Sequence, residues 1–361
     1  DPESIDKAVA LLEKAKFPVV LAGGGIVWSQ ADKETLRIAE ILEAPVITSY
    51  ERNDAVDNSH PHYIGALGRA GSPEAIEAVK NADVLLALGT RLSHFTTFYD
   101  HRFISKSTQI IQVEIDQREI GRNYPVTVGI LGDARSVASQ IQEKLASRVS
   151  ISKNNIRIDK VGQLRAKRIQ RLQTEENFNS MPIKPQRVYA ELRKVLPNGT
   201  AVTFDAGGSP SFGYDRIDFS GPRTLFSTLD LACLGGALPQ ALGVKMALPN
   251  QPVVSISGDG GFFFNIQELE TAVRWKIPVV NIVMNNNSWG SEKAYQNILY
   301  DKRYVESDIT NPRYDRLAEL CGAHGFYAEK PDEIRKAVQE ALAIDGPSVI
   351  EIPIDPEELQ A

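Results

Sequence analysis

Two apolar runs that each end in a polar knot constrain this chain more than any other feature. Residues 253–256 lead into Ser257-Gly258-Asp259-Gly260-Gly261, and residues 278–284 lead into Asn285-Asn286-Asn287. Short uninterrupted runs of this kind read as strands buried on both faces of a parallel sheet. Between them Ile266, Leu269, Ala272, Val273 and Trp275 recur at roughly helical spacing, so the unit reads as strand, loop, helix, strand. Both strands of such a unit point the same way. Asp259 and the asparagines are therefore expected side by side at the carboxyl edge of one sheet, where open α/β sheets bind ligands.

The residue types at that edge suit a diphosphate chelated to Mg²⁺, an ion that takes a small octahedral set of hard oxygens. Asp259 offers an anionic oxygen, Asn286 an amide oxygen and Ser288 a backbone carbonyl. Gly258, Gly260 and Gly261 let backbone N–H groups approach phosphate oxygens with no Cβ in the way. Either half alone also fits an ordinary turn after a strand. Together, Gly-Asp-Gly followed after twenty-four residues by Asn-Asn resembles the thiamin diphosphate (ThDP) signature of the pyruvate oxidase and acetolactate synthase superfamily.

Length and composition agree with a globular enzyme. A chain of 361 residues with 42% hydrophobic residues can bury a core in each of two domains. With 40 Lys plus Arg against 46 Asp plus Glu, the net charge of -6 gives no sign of a nucleic-acid surface. The basic patch from Arg165 to Arg171 reads as the solvated face of a linker helix. Two cysteines, Cys233 and Cys321, exclude a disulfide framework and fit a reducing compartment; the apolar surroundings of Cys233 mark it as a small core residue. No run of eighteen apolar residues or signal peptide is present, so no membrane span is expected and the location is read as cytoplasmic.

Strand and helix patterns alternate along the chain. Residues 5–15, 31–42 and 73–80 read as helices, and residues 17–22, 45–48, 83–88, 109–115 and 126–130 as strands. After a composition shift over residues 146–181, helices are expected at 187–196, 240–247, 314–321 and 331–344, and strands at 200–204 and 348–352. The fold class is α/β, with two doubly wound parallel-sheet domains. Their expected bounds are 1–150 for the first, 151–184 for a linker with an exposed helix over 161–172, and 185–361 for the second.

The resemblance covers nearly the whole chain and adds roles that spacing alone does not give. Residues 1–145 look like the central domain of acetolactate-synthase-type enzymes, and residues 185–355 like the pyrophosphate-binding domain. It implies that Gly207, Gly208 and Ser209 line the diphosphate, while Asp259, Asn286 and the Ser288 carbonyl hold Mg²⁺. Trp289 and Gly290 complete the cofactor-binding set. Leu234 falls where the family places the bulky wedge that bends ThDP into a V; its plain reading is a core leucine. In the central domain Gly23, Gly24, Gly25, Arg91, Glu114 and Asp133 match nucleotide-contacting positions. Ser93-His94-Phe95 departs from the pattern of FAD-using members, so FAD or ADP stands there against an empty site. Without the resemblance, Gly23 to Gly25 reads as a tight strand-to-helix turn.

The family also places an activating glutamate on an amino-terminal pyrimidine-binding domain, and this sequence offers no candidate for it. Glu268 and Glu270 lie on the helix behind the metal loop and read as structural. No catalytic residue is therefore assigned, and the expectation is a fragment, or a subunit whose pyrimidine-binding domain is supplied by the same or another chain, inactive alone. The resemblance further implies a homodimer or homotetramer. Trp289 and Lys293 are candidates to line the substrate space, in a segment similar to one in sulfoacetaldehyde acetyltransferases; alternatively Glu292 and Lys293 open an exposed helix. The expected substrate is a 2-oxo acid or an aldehyde. The reaction is acetolactate-synthase-like, with sulfoacetaldehyde acetyltransferase or aldehyde lyase as the alternative, and a nucleotide-binding regulatory module as the non-enzyme alternative.

Overall fold

The computed structural model describes residues 1–148, 154–228 and 231–360. It divides into two compact units, Asp1–Arg171 with Asp218–Arg223, and Leu172–Ile217 with Thr224–Ala361. The boundary expected between residues 150 and 151 lies outside the described residues.

In the first unit β1 (Pro18–Ala22), β2 (Val46–Thr48), β3 (Tyr63–Ala66), β4 (Val84–Leu88), β5 (Gln109–Glu114) and β6 (Val128–Leu131) form one parallel sheet in the order β3-β2-β1-β4-β5-β6. Successive side chains leave opposite faces of a strand. Val20, Ala22, Leu86 and Leu88 thus join one helix-covered layer, and Val19, Leu21, Leu85 and Ala87 the other. Burial on both sides is why these strands carry no polar alternation. The chain starts at β1, winds outward to β3, then returns to β4 on the other side, so the strand order reverses between β1 and β4.

The expected exposed helix over 161–172 is corrected. It runs from Asn155 to Glu175, and Val161 and Leu164 are buried in the layer that holds Val19 and Leu21. Its basic stretch is only partly solvated, with Lys167 exposed, Arg165 and Arg171 half-buried and Arg168 buried. Arg165 donates to the carbonyl of Ser59 at 2.9 Å, and Lys167 and Arg171 pair with Glu77 and Glu74 at 3.0 and 2.9 Å. The charges that make the segment look soluble are used to dock it.

The second unit repeats the plan. Strands β7 (Ala201–Phe204), β8 (Leu225–Ser227), β9 (Val253–Gly258), β10 (Val280–Asn285), β11 (His324–Tyr327) and β12 (Ser348–Pro353) lie in the order β11-β12-β10-β9-β7-β8, all parallel. Here the order reverses between β7 and β9. A buried polar stitch fixes the register of the three central strands: the Ser255 hydroxyl donates to Asn281 Oδ1 at 2.6 Å, and Asn281 Nδ2 donates to the Ser348 carbonyl at 3.0 Å. Both expected sheets are present. Strands β3, β8 and β11, each three or four residues long and at a sheet edge, escaped the sequence reading. Among the described residues no helix is long and apolar enough to cross a membrane.

The two central strand ends of the first sheet meet glycine on glycine. Gly89 has φ +59°, and a Cβ there would lie 2.5 Å from Gly25 Cα, an atom of the backbone that has no rotamer to change. Gly89→Ala is expected to lower stability in urea unfolding by about 3 kcal/mol, from left-handed strain plus overpacking. Gly162→Ala, in a helix where a Cβ meets nothing within 4 Å, should instead raise it by about 0.5–1 kcal/mol.

Candidate cofactor and metal site

Ligands of doubly wound sheets bind beyond the carboxyl ends of the strands where the order reverses. In the second unit those ends are β7 and β9, and each is followed at once by a buried aspartate, Asp205 and Asp259.

Asp205 is fully buried. Its Oδ1 accepts from the N–H groups of Ala206 and Gly236 at 3.0 and 3.1 Å, and its Oδ2 from Gly235 at 3.0 Å. Burial still outweighs these bonds and pushes the carboxyl up to about 6. The carboxylate thus ties the start of the Gly207–Ser209 cradle to the loop that carries Leu234. Leu234 is half-buried and faces Gly261, whose missing Cβ would lie 3.7 Å from Leu234 Cδ2 and 2.5 Å from Asp205 Oδ2. Gly261 is therefore required by Asp205. Cys233, expected in the core, is exposed: the apolar surroundings that marked it belong to a loop at the ligand edge.

The strand, loop, helix reading of the central stretch is also corrected. No loop intervenes, because the helix Asp259–Phe264 starts directly from β9, and a second helix, Glu268–Arg274, comes after it. Asp259 sits in the first helical turn, where backbone N–H groups favour an anion. It is 2% exposed. Burial pushes its carboxyl up to about 6, against hydrogen bonds from the N–H groups of Gly260 and Asn287 and from the Asn311 amide. Asn311 Nδ2 lies 2.7 Å from Asp259 Oδ2, 3.1 Å from Asn285 Oδ1 and 3.2 Å from Asn287 Oδ1. The Asp259 and asparagine segments are thereby brought together, as the parallel register of Gly258 with Met284 requires. Asn286, between them, is buried and its Oδ1 accepts from the Ser288 N–H at 3.2 Å.

The remaining residues close around this pair. Ser288 bridges to Asp308, and the two bonds of that bridge run through Trp289 N–H and the Asn287 carbonyl, at 2.8 and 2.9 Å. In a pair of this type the opposed residues keep their own polar groups out of the ladder, so the Ser288 carbonyl stays outside it. A Cβ on Gly260 would strike the Trp289 ring at 2.4 Å, and one on Gly208 would lie 3.4 Å from the Gly290 carbonyl carbon and 3.0 Å from the Gln360 carbonyl oxygen. Gly208 opens the short helix Gly208–Ser211, and Gly207, with φ +129°, turns the chain into it. Lys293 is buried in the helix Gly290–Leu299, its ammonium 3.0 Å from Asp308 Oδ1 and 5.3 Å from the Tyr304 ring. Its charge is committed to that carboxylate, and Glu292 is exposed on the same helix. Glu270 is exposed and pairs with Arg274 at 3.0 Å.

These residues fit a divalent ion carrying a diphosphate. The deciding observation is Asp259, a buried acid whose hydrogen-bond partners are neutral donors, so that among the described residues no cation balances its charge. Asn286 and Ser288 follow the neighbouring strand end, and Gly258 and Gly260 flank Asp259 in the chain. Sequence reasoning missed Asp205, Asn311 and Tyr314. Asp205 repeats the placement of Asp259 after a neighbouring strand, which was a usable signal; Asn311 lies in a loop with no pattern of its own.

The nucleotide-matching positions of the first unit are arranged differently. Gly23 N–H donates to the Leu88 carbonyl and Gly25 N–H to the Gly89 carbonyl, both at 2.9 Å. Asp133 caps the helix Ala134–Arg148 by accepting from Arg135 and Ser136 N–H at 3.0 Å. Glu114 is buried at the end of β5, which raises its carboxyl, while Arg91 is exposed. Gly24, with its Cβ position 3.2 Å from Arg52 Nε, lies between two glycines already engaged.

Two family models match the chain. The one described as thiamine pyrophosphate enzyme, central domain, matches residues 5–141, and the one described as thiamine pyrophosphate enzyme, C-terminal TPP binding domain, matches residues 205–352. A sulfoacetaldehyde acetyltransferase of Castellaniella defragrans is 32% identical over 360 residues, 94% of this chain and 60% of that protein. A probable acetolactate synthase large subunit of Methanococcus aeolicus is 33% identical over 369 residues, 98% of this chain and 61% of that protein. The chain therefore spans about 60% of the length of these curated relatives.

Asp259 titrates at about 6 in the fold against an ordinary 3.8, so folding takes up a proton between those values. Its contribution to stability is complete below about pH 4 and lost as pH rises through 6. Asp259→Asn should therefore stabilise the metal-free protein at pH 7, by about 1–3 kcal/mol in urea unfolding, while abolishing Mg²⁺-dependent ThDP binding in calorimetry. In the unsubstituted protein that binding should weaken about tenfold between pH 7 and pH 5, as the Asp259 carboxylate is protonated.

Proposed function

We propose, because the chain belongs to the thiamine pyrophosphate enzyme family, that it serves a ThDP- and Mg²⁺-dependent enzyme that makes or breaks a carbon–carbon bond next to a carbonyl, in the manner of an acetolactate synthase. The observation that carries this reading is Asp259, a buried and uncompensated acid at the strand-order reversal of the second sheet.

Asp259, Asn286 and the Ser288 carbonyl are the residues that hold the cation. Gly207, Gly208, Ser209, Gly258 and Gly260 admit the diphosphate, with Gly290 closing the same edge. When bound, ThDP supplies the electron sink for the carbanion chemistry. Leu234 would contact the bound cofactor from the loop that Asp205 keeps in place through the Gly235 and Gly236 N–H groups. Trp289, packed edge-on to Phe264 at 6.1 Å, excludes water from the edge beside Gly260. FAD and ADP stay outside the proposal, since two of the three first-unit glycines already donate their N–H groups to the neighbouring strand end.

The partner proposed for this edge is a pyrimidine-binding domain, of the same or another chain, in a homodimer or homotetramer. Support comes from two large apolar side chains beside the site that the second unit leaves exposed, Phe263 and Phe264, whose rings lie 6.3 Å from Tyr314 and 6.1 Å from Trp289. A 2-oxo acid is the substrate class of the first reading. The relatives named sulfoacetaldehyde acetyltransferase favour an aldehyde substrate as the second. With ThDP, Mg²⁺ and the pyrimidine-binding domain present, turnover of pyruvate is expected, followed by carbon dioxide release. Turnover of sulfoacetaldehyde without pyruvate would support the second reading. Failure to bind ThDP in the presence of Mg²⁺ would sink both.

A further inference from the structure

We propose that Asn311 is a positioning residue for the cation site, acting through Asp259 and itself held by Tyr314; this rests on the reading of Asp259 as a metal ligand. Asn311 lies outside both halves of the motif, in the segment before the helix Tyr314–Leu320. Its side-chain nitrogen carries two protons, yet three oxygens surround it, and the shortest contact, 2.7 Å, is to the Asp259 carboxylate. The contacts with Asn285 and Asn287 place it where it spans both strand ends at once. At its other end, Asn311 Oδ1 lies 2.9 Å from the Tyr314 hydroxyl, which lies 2.9 Å from the Asp259 carbonyl as well.

Tyr314 is fully buried, its ring edge-on to Phe262 at 5.7 Å. Its backbone N–H donates to Glu351 Oε2 at 2.7 Å, and Glu351 Oε1 accepts from Asn285 Nδ2 at 2.8 Å. The circuit therefore closes from Asp259 through Asn311, Tyr314, Glu351 and Asn285 back to Asn311. Within it Oδ2 of Asp259 is held by Asn311, which sets the plane of the carboxylate and so the direction in which it offers its lone pairs. Mg²⁺ demands near-ideal octahedral geometry, whereas Ca²⁺ accepts a wider range of ligand angles and distances. Outer residues that orient a ligating carboxylate typically change metal affinity by about 10–100-fold when removed. A misoriented Asp259 thus costs Mg²⁺ more than Ca²⁺. A residue that only braced the loop would lower stability and weaken both ions alike.

The test is calorimetry of ThDP binding to the full protein with its pyrimidine-binding domain, in Mg²⁺ and separately in Ca²⁺. Asn311→Ala should weaken Mg²⁺-supported binding about tenfold or more and Ca²⁺-supported binding less than about threefold. Tyr314→Phe, which removes one hydroxyl and keeps the ring, should shift the ratio the same way by a smaller factor. Equal losses in the two ions, or no loss in either, overturn the proposal. Should Asn311→Ala fail to fold, Tyr314→Phe decides on the same ratio. An unsubstituted protein that binds ThDP without regard to either ion overturns this proposal together with the proposed function; normal binding there and an unmoved ratio in the variants overturn this one alone.

Discussion

One buried carboxylate, that of Asp205, holds the ligand edge of the second unit in one piece. Taking an ionised acid out of water costs several kcal/mol even after relaxation. Three backbone N–H groups and the Ser257 hydroxyl offset part of that cost. Removing the acceptors would strand donors in a dry interior, at about 1–3 kcal/mol each, so the chain segments that supply them are bound to one another's positions. Those segments open the cradle at Gly207 and carry Leu234, and the carboxylate's own bulk requires Gly261 to lack a side chain. Three parts of the site, far apart in sequence, thus share one anchor.

The two sheets show how one topology yields different edges. Each has a point where strand order reverses, and in each the strands there end in a glycine-rich turn. In the first unit the turn is filled by backbone: Gly25 packs on Gly89, and the N–H groups of Gly23 and Gly25 already have carbonyl partners. In the second unit an acid follows each of these strand ends at once, Asp205 after β7 and Asp259 after β9, and the groups that bond to them are neutral donors. The contrast lies in the residue type placed just beyond the last strand position. Glycine lets backbones close upon one another, whereas aspartate holds them apart and asks for charge compensation.

The sequence made both parallel sheets legible because a strand buried on two faces has no polar interruption, and Val19 to Ala22 or Val253 to Ile256 cannot be read otherwise at that length. The motif residues were legible for a related reason, since they come directly after such strands. Edge strands β3, β8 and β11 were not: each is three or four residues long and carries a glycine, serine or histidine, and none follows an apolar run that would mark it off from its loops. The docked face of the helix Asn155–Glu175 was hidden by its charges, whose partners Ser59, Glu74 and Glu77 lie some 90 to 110 residues away in the chain. Asn311 was invisible in the strict sense. Its role is created by three oxygens that meet only in the folded chain.

The choice of an amide at position 311 stems from the charge balance at the site. Asp259 in its ionised form costs the metal-free fold about 3 kcal/mol at neutral pH, the equivalent of its rise from 3.8 to about 6. A lysine or arginine beside it would cancel most of that burden, and the fold would be more stable for it. It would also fill the place of the cation and turn the site off. A neutral amide orients the carboxylate without neutralising it, which leaves the deficit for a metal to satisfy. A ligand that binds only the folded state returns free energy to it by mass action, and so offsets what the uncompensated acid costs. The cost of the uncompensated carboxylate and the proposed affinity for a cation are therefore set by the same choice of neighbours.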